Sequence, residues 1–290
     1  MKGIEESYYS SGSPYQLLHI YYLKGSLIAG ELNLGNNFIG NWEEDGFSFL
    51  FFSKPSPGKV EDLLNEQPHL EFIDKYNMTY EDWHGEKIKP LRVGNFLISP
   101  PWDLPEENNE KNDGELRIIL DPGVVFGTGT HTTTHDCLEA IEIAFNSDKI
   151  ETAIDIGTGT GLLGIAAARI GCKKTLALDF NYLASKTALR NVRLNYLQDR
   201  IIVVQGMAED FIDTRVDLLV TNIHYDVMKK LIISDGFLFS KFFILSGLMR
   251  SQARVIADIL DKLPVEIIKT WERDGIWNTF LGKVLPDKSN

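Results

Sequence analysis

Ile154 to Gly161 read Ile-Asp-Ile-Gly-Thr-Gly-Thr-Gly, which places three alternate glycines after a short apolar run. The apolar run predicts a β-strand, the pattern from Leu162 to Ile170 predicts a helix, and the glycines between them predict a tight turn. A strand, a glycine turn and a helix N-terminus in this order form the cofactor sites of α/β proteins. Glycine also lets the backbone approach a ligand without a Cβ in the way. We therefore expect Gly157, Gly159 and Gly161 to bind a nucleotide-like cofactor.

The same glycines fit two kinds of cofactor site. Gly159, Gly161 and Gly164 match the dinucleotide pattern G-x-G-x-x-G, and Asp179 ends the next apolar run, twenty residues after Gly159. An acid at that distance binds the ribose of a nucleotide cofactor. The spacing predicts Asp179 as the ribose-binding acid, and it leaves a nicotinamide-dependent dehydrogenase and a methyltransferase both open.

The charges around the turn favour a cofactor without phosphate. The pyrophosphate of a dinucleotide would lie against the helix N-terminus, where a nearby carboxylate disfavours an anion. Asp155 stands two residues before the first glycine, and no lysine or arginine occurs between Ile154 and Ala168. S-adenosylmethionine carries a sulfonium and an ammonium group and no phosphate, so Asp155 near its methionine end and Asp179 on its ribose suit it better. We expect Asp155 to act mainly by ordering the turn through backbone N–H groups.

Composition and charge limit the partners of the chain. Its 290 residues are 43% hydrophobic, which allows a full core and about two domains. The net charge of −12 would repel a nucleic-acid duplex and suits a basic protein partner. Cys137 and Cys172 fit neither a disulfide framework nor a metal site. No apolar stretch approaches the roughly 18 residues of a membrane span, and the N-terminus lacks a signal pattern. We expect a cytoplasmic protein with no metal, membrane or direct nucleic-acid binding.

From residue 151 onward, strand-like and helix-like segments alternate. The apolar runs lie at Ala153–Ile156, Leu176–Leu178, Ile201–Val204, Leu218–Val220 and Phe242–Leu245. Such alternation predicts a mostly parallel sheet covered by helices on both faces. The chain ends differently, because Pro264–Trp271 and Ile276–Val284 read as strands joined by a hairpin turn at Arg273-Asp274-Gly275. A parallel sheet closed by a terminal antiparallel hairpin is characteristic of class I (Rossmann-like) methyltransferases, and we assign this α/β domain to residues 118–290.

The first part of the chain has a different pattern. Tyr15–Leu23 and Phe47–Ser53 read as strands and Lys59–Asn65 as a short helix, which predicts a small α+β domain over residues 1–85. Residues 86–117 contain several prolines and then a polar stretch, and we expect this segment to be a linker or surface loop.

A second motif precedes the glycine turn. Leu120–Thr134 reads Leu-Asp-Pro-Gly-Val-Val-Phe-Gly-Thr-Gly-Thr-His-Thr-Thr-Thr and leads into a helical pattern from His135. Asp-Pro-Gly indicates a turn, while Gly127 and Gly129 allow close packing against another loop. We expect the threonines, Thr134 among them, to cap the helix that follows, with Thr134 also available to the cofactor carboxylate.

Together these segments resemble the PrmA family, the methyltransferases of ribosomal protein L11. The resemblance covers about the last two hundred residues and rests on these segments: Lys89-Pro90, Ile98–Trp102, Leu120–Gly123, Phe126–His131, the glycine turn, Asn222-Ile223, Leu245–Leu248 and Ser251–Ala253. It implies a class I catalytic domain, a ferredoxin-like substrate-recognition domain before it, and methylation of amino groups on a protein. It also implies that Thr134, Gly157, Asp179 and Asn222 contact S-adenosylmethionine.

The chemistry of amine methylation indicates roles for two further side chains. A lysine with a pKa near 10.4 must lose its proton before its nitrogen attacks the methyl group. Asn222 ends a predicted parallel strand. Its side-chain carbonyl and the main-chain carbonyl of Ile223 would together hold the amine. Tyr225 has the spacing of the aromatic residue in the Asn-Pro-Pro-Tyr motif of amino-methyltransferases, or it is a core tyrosine at a helix start. We predict Asn222 and Tyr225 as catalytic residues acting on a lysine or α-amine of ribosomal protein L11. The alternatives are another protein or a small molecule as substrate, or a binding module without turnover.

Overall fold

The computed structural model describes residues 13–28, 34–105 and 114–286. The chain divides into two compact units, Met1–Ile88 and Lys89–Asn290. The roles predicted for the two parts, substrate recognition and methyl transfer, stay predictions at this point.

The N-terminal unit has a four-stranded antiparallel sheet in the order β2-β3-β1-β4. Its elements are β1 Leu17–Lys24, β2 Phe38–Glu44, β3 Phe47–Phe52, α1 Pro57–Glu66, β4 Glu71–Thr79 and α2 Tyr80–His84. The core beside α1 includes Tyr21, Leu23, Leu50, Phe52, Val60 and Leu63. This strand order is that of a ferredoxin-like sheet. A helix between β1 and β2, which that fold also has, does not occur within the described residues 25–28 and 34–37, so the ferredoxin-like assignment remains a prediction.

Part of the segment 86–117 is folded, so the prediction of a linker there is wrong. The segment contributes β5 Leu91–Val93, β6 Phe96–Ser99 and the start of β7 Leu116–Ile119, which form a three-stranded sheet. Phe96, Ile98 and Ile118 are buried in the core of the C-terminal unit. The prolines around these strands suggested a loop, but the alternate apolar residues of β6 bury enough surface to join the domain.

The C-terminal unit is built on a seven-stranded sheet in the order β10-β9-β8-β11-β12-β14-β13. Its strands are β8 Thr152–Ile156, β9 Lys174–Asp179, β10 Ile201–Gln205, β11 Val216–Asn222, β12 Ser240–Met249, β13 Val265–Arg273 and β14 Trp277–Val284. Strands β8 to β12 are parallel, and β14 is antiparallel to both neighbours. Asp274, Gly275 and Ile276 join β13 and β14, and the first two have φ angles of +54° and +66°, as in a tight hairpin turn. The predicted α/β fold with a terminal hairpin is confirmed.

Helices cover both faces of this sheet. They are α3 Thr132–Ser147, α4 Leu162–Ile170, α5 Tyr182–Leu194, α6 Tyr225–Ile232 and α7 Arg250–Leu260. Within β11, Leu218 and Val220 are buried in the core that includes α3 and α4, whereas Leu219 is buried in the core that includes α6 and α7. Because successive strand residues point to opposite faces, one apolar strand supplies both cores.

The strand order creates a crevice at one edge of the sheet. The chain runs outward from β8 to β9 and β10, and then returns to place β11 on the other side of β8. Ligands of open α/β sheets bind beyond the carboxyl ends of the strands at such a reversal. The glycine turn after β8 and Asn222 at the end of β11 lie at this edge, because Ile156 pairs with Thr221.

Candidate functional site

The glycine turn follows β8 and is built on left-handed backbone. Gly157, Gly159 and Gly161 have φ angles of +73°, +55° and +87°, which residues with a Cβ adopt only under strain. The backbone N–H groups of Gly157 and Thr158 both donate to the Leu178 carbonyl, at 2.8 and 2.9 Å, and so tie the turn to the end of β9. The predicted strand, turn and helix are therefore present, with Gly161 immediately before α4.

The positions that a Cβ would occupy on these glycines lie against other parts of the chain. A Cβ on Gly157 would overlap the Ile223 side chain, one on Gly159 would lie 2.7 Å from the Phe126 carbonyl oxygen, and one on Gly161 would lie 3.2 Å from Ala188. Binding of a cofactor by the backbone of the turn stays a prediction, and the missing Cβ atoms have a packing role as well. They leave room for three protein segments, which pack closely around the turn.

Asp155 orders the turn from beneath. Its carboxylate is buried, and one oxygen accepts hydrogen bonds from the Thr158 hydroxyl at 2.5 Å and the Gly164 backbone N–H at 2.8 Å. Burial is the main cause that raises the pKa of Asp155 from its ordinary 3.8 to about 6. The two hydrogen bonds oppose the rise, and the charge of Asp179 adds to it. The contacts agree with the predicted ordering of the turn by backbone N–H groups.

Replacing Asp155 by asparagine should flatten the pH dependence of stability. The pKa of the folded state, about 6, lies above the ordinary value of 3.8, so the folded protein holds this proton more tightly. The resulting stabilisation is fully present below pH 3.8 and is lost as pH rises through 6. Between pH 5 and pH 8 the wild type should lose about 1.4 kcal/mol more unfolding free energy than the variant, which cannot titrate. Urea unfolding of both proteins at the two pH values measures this difference, and equal slopes with pH would contradict a raised pKa.

Asp179 closes the turn from the side of β9. One carboxylate oxygen accepts the Gly159 N–H at 3.0 Å and the other accepts the Asn181 N–H at 2.9 Å. Burial raises the pKa of Asp179, and these two hydrogen bonds oppose the rise. Each oxygen has lone pairs left to accept a further hydrogen bond. Asp179, the acid predicted to bind the ribose, is therefore hydrogen-bonded to the glycine turn that is predicted to bind the cofactor.

The second motif packs on the glycine turn, as its glycines predicted. A Cβ on Gly127 would lie 2.9 Å from the Thr160 hydroxyl, and this hydroxyl donates to the Gly127 carbonyl at 2.7 Å. Phe126 beside it is 70% exposed, although it is a large apolar side chain at the crevice edge of the sheet. The two motifs, well separated in the sequence, form one structure.

The helix after the second motif is capped by a histidine, so the prediction of threonine caps is wrong. Helix α3 begins at Thr132, and the preceding His131 accepts the Thr133 N–H on its Nδ1 at 3.3 Å. The same Nδ1 lies 2.7 Å from the Thr133 hydroxyl. Burial lowers the pKa of His131, and the nearby His135 lowers it further. Thr134 is buried in the first turn of α3, where its N–H donates to the His131 carbonyl at 2.9 Å.

Asn222 and Tyr225 stand in different environments. The Asn222 side-chain N–H donates to the Thr133 hydroxyl at 3.2 Å, which links the end of β11 to the start of α3. Tyr225 is the first residue of α6, packs against the core beside α6, and has Lys229 Nζ 5.8 Å from its ring centre. The hydrogen bond thus gives Asn222 a defined orientation at the crevice. The contacts of Tyr225 are those expected for a core tyrosine at a helix start, which was the alternative to a catalytic role. The catalytic roles of both residues stay predictions.

Sequence reasoning missed two apolar side chains beside Asp179. Phe180 and Met207 follow the ends of β9 and β10 and are 56% and 54% exposed. The two strand ends are held together, because the Gly206 N–H donates to the Asp179 carbonyl at 2.9 Å and the Gln205 side chain donates to the Phe180 carbonyl at 3.2 Å. The available signal was a large apolar residue close after each polar strand end: Phe180 directly after Asp179, and Met207 two residues after Gln205. Such exposed side chains at a crevice suit a flat, apolar ligand group.

Comparison with known proteins gives a consistent result. Residues 58–284 match the profile of the family described as Ribosomal protein L11 methyltransferase (PrmA). A ribosomal protein L11 methyltransferase of Clostridium botulinum is 36% identical over 210 residues, which are 70% of this chain and 64% of that protein. One of Clostridium perfringens is 31% identical over 223 residues, 73% of this chain and 67% of that protein. The matches thus span about two thirds of the length of these relatives.

A solved structure agrees with the sequence matches. The crystal structure of a ribosomal protein L11 methylase from Lactobacillus delbrueckii subsp. bulgaricus superposes with a TM-score of 0.57 at 28% identity, covering 68% of this chain and 98% of that one. The resemblance stated from the motifs is confirmed. The chain belongs to the family of ribosomal protein L11 methyltransferases.

Proposed function

We propose that this protein transfers methyl groups from S-adenosylmethionine to amino groups of a protein, either lysine or α-amine, and that ribosomal protein L11 is the substrate. The observation that carries the proposal is the way the glycine turn is held. The N–H groups of Gly159 and Gly164 donate to the carboxylates of Asp179 and Asp155, at 3.0 and 2.8 Å. These N–H groups are therefore committed to carboxylates, where a dinucleotide site would offer its N–H groups to a pyrophosphate. Family membership supports the same conclusion.

The described residues suit each part of the proposed cofactor. Asp179 would accept the ribose hydroxyls on its remaining lone pairs, while Phe180 and Met207 would flank the adenine with their exposed side chains. The start of α3 around Thr134 would hold the cofactor carboxylate, because the positive end of the helix dipole lies there. Asp155 acts through the turn, because its carboxylate already accepts from Thr158 and Gly164.

Methyl transfer from this cofactor needs an aligned, neutral amine. When bound, S-adenosylmethionine supplies a methyl group on a positively charged sulfur. Asn222 Oδ1 and the Ile223 carbonyl accept the two N–H groups of the amine, and this orients the nitrogen lone pair for in-line attack. Alignment of this kind supplies much of the rate enhancement of a displacement. Tyr225 forms a wall of the amine pocket with the exposed part of its ring.

Charge and composition support the proposed substrate and location. A net charge of −12 attracts a basic ribosomal protein, and the N-terminal unit is the proposed recognition domain. Cys137 and Cys172 are buried and unpaired, which suits the reducing cytoplasm. Across residues 13–28, 34–105 and 114–286, the helices are all too short or too polar to span a bilayer.

Labelled S-adenosylmethionine tests the proposal directly. The purified protein is incubated with the label and a ribosome-rich lysate from cells without their own L11 methylase, and in parallel with purified L11. Label on L11 supports both the chemistry and the substrate, and an Asp179→Ala variant should transfer almost none. Label on a different protein would keep the chemistry and replace the substrate. A chain that labels neither protein nor small amine, yet binds the cofactor, would be a binding module, and the proposed activity would be wrong.

A further inference from the structure

The amide of Asn222 is held between two residues of other motif segments, one in α3 and one in β12. Its Nδ2 donates to the Thr133 hydroxyl at 3.2 Å, on the side of α3. On the side of β12, a Cβ on Gly247 would lie only 2.8 Å from Asn222 Oδ1 and 3.3 Å from the Ile223 carbonyl oxygen. Thr133 is buried, and Gly247 has a φ of +83°. The two oxygens proposed to accept from the amine, Asn222 Oδ1 and the Ile223 carbonyl oxygen, thus both lie next to Gly247.

The hydrogen bonds at Thr133 determine which way the Asn222 amide points. His131 Nδ1 accepts the Thr133 backbone N–H as a helix cap, so this nitrogen carries a lone pair and no proton. The Thr133 hydroxyl, 2.7 Å from the same nitrogen, therefore donates its proton to His131. A hydroxyl has one proton, so Thr133 can only accept from Asn222, whose N–H group must face it. Asn222 Oδ1 then points away from α3, toward Gly247.

Gly247 leaves the space that this orientation needs. Contacts below 3.0 Å from a Cβ to a fixed oxygen force one of the two groups to move, and Asn222 Oδ1 is the nearer atom at 2.8 Å. An added methyl group at 247 would therefore push away the oxygen that accepts from the amine. Rotation of the amide would in turn break the hydrogen bond to Thr133.

We infer that Thr133 and Gly247 are positioning residues that aim Asn222 Oδ1 and the Ile223 carbonyl at the incoming amine. This inference rests on the proposed methyl transfer to an amine. Thr133 fixes the direction of the amide through its hydrogen bond, and Gly247 fixes the place of both oxygens by its missing side chain. His131 sets the polarity of the hydrogen-bond chain by keeping Nδ1 unprotonated.

Four variants test the inference. Thr133→Val keeps the shape of the side chain and removes the hydroxyl, whereas Thr133→Ser keeps the hydroxyl. Gly247→Ala adds the Cβ that meets Asn222. Gly275→Ala is its matched control, because Gly275 also has a positive φ, +66°, and a Cβ there would meet no atom within 4 Å. For each variant we would measure kcat and KM for the amine substrate, cofactor affinity by calorimetry, thermal unfolding, and the side-chain amide NMR signal of Asn222 without substrate.

We expect Thr133→Val to lower kcat about tenfold and Gly247→Ala to lower it about 100-fold, because a small misplacement of a reacting group is costly. The loss in kcat should exceed any loss of cofactor affinity. Thr133→Ser and Gly275→Ala should keep most of the turnover. The side-chain amide signal of Asn222 should shift only in Thr133→Val and Gly247→Ala. Wild-type kcat in Thr133→Val would overturn the inference. If Gly247→Ala fails to fold, the comparison of Thr133→Val with Thr133→Ser tests the inference by itself.

The NMR measurement separates this inference from the proposed function. A wild type that methylates no amine would remove the proposed function and leave the Asn222 signal to be compared. In that case, an unmoved signal in Thr133→Val would also refute the contact. A shifted signal would uphold the orientation of Asn222 in a protein of different activity.

Discussion

Replacing Asn222 by alanine should lower the rate of methyl transfer by about 100-fold, with the larger part of the effect in kcat. The variant removes the side-chain oxygen that accepts an N–H of the amine, and it leaves the Thr133 hydroxyl without its donor. The amine would then meet the methyl group in many orientations instead of one. Steady-state kinetics with labelled S-adenosylmethionine and a saturating amine substrate measures the change.

A matched asparagine provides the control for this experiment. Asn146 is exposed on α3, and its replacement by alanine should leave the rate unchanged. Cofactor affinity of Asn222→Ala should fall less than its rate, since the cofactor has other contacts at Asp179 and at the glycine turn. Near-normal turnover of Asn222→Ala would remove this residue from the mechanism.

Replacing Asp179 by alanine should weaken cofactor binding by about 100-fold. Hydrogen bonds to a charged acceptor contribute about 1.5–3 kcal/mol each, and the two ribose hydroxyls would lose theirs. The Gly159 N–H would also lose its acceptor, which loosens the turn. Titration calorimetry with S-adenosylmethionine measures the dissociation constants of the variant and the wild type.

An acid on the opposite edge of the sheet controls for the change in net charge. Asp199 is exposed just before β10, at the end of the sheet away from the glycine turn. Asp199→Ala alters the charge of the protein equally and should bind the cofactor like the wild type. Equal affinity of Asp179→Ala and wild type would refute the ribose assignment, whereas equal weakening in both variants would point to a general effect of charge.

Local patterns predicted much of the catalytic fold. The strand, turn and helix around the glycine turn were predictable because each depends on neighbouring residues: an apolar run, glycines that accept positive φ, and a helical period. The terminal hairpin was predictable from Asp274 and Gly275 for the same reason. In contrast, β2 and β4 of the N-terminal unit were missed. Strand β4 is largely exposed, so it carries no apolar alternation that sequence reasoning could detect.

Burial also decided the fold of residues 86–117, which the prolines had suggested to be a linker. Prolines flank β5 and β6, and proline is a strong local signal for a loop. Phe96 and Ile98 nevertheless lie in the core with Ile118 of β7, because the C-terminal unit offers an apolar surface for them to cover. Residues distant in the sequence form this surface, so the pattern of neighbouring residues could not predict it.

The sequence by itself determined the type of site: a glycine turn between acids, at the carboxyl end of a parallel strand. Only the tertiary structure decided what surrounds each group. It brought Ile223, the Phe126 carbonyl and Ala188 to the bare glycines, and it brought Thr133 to Asn222 across 89 residues of sequence. Side-chain types and backbone conformations are encoded locally, but contacts between distant segments depend on strand order and register. These emerge only when both faces of the sheet are buried together.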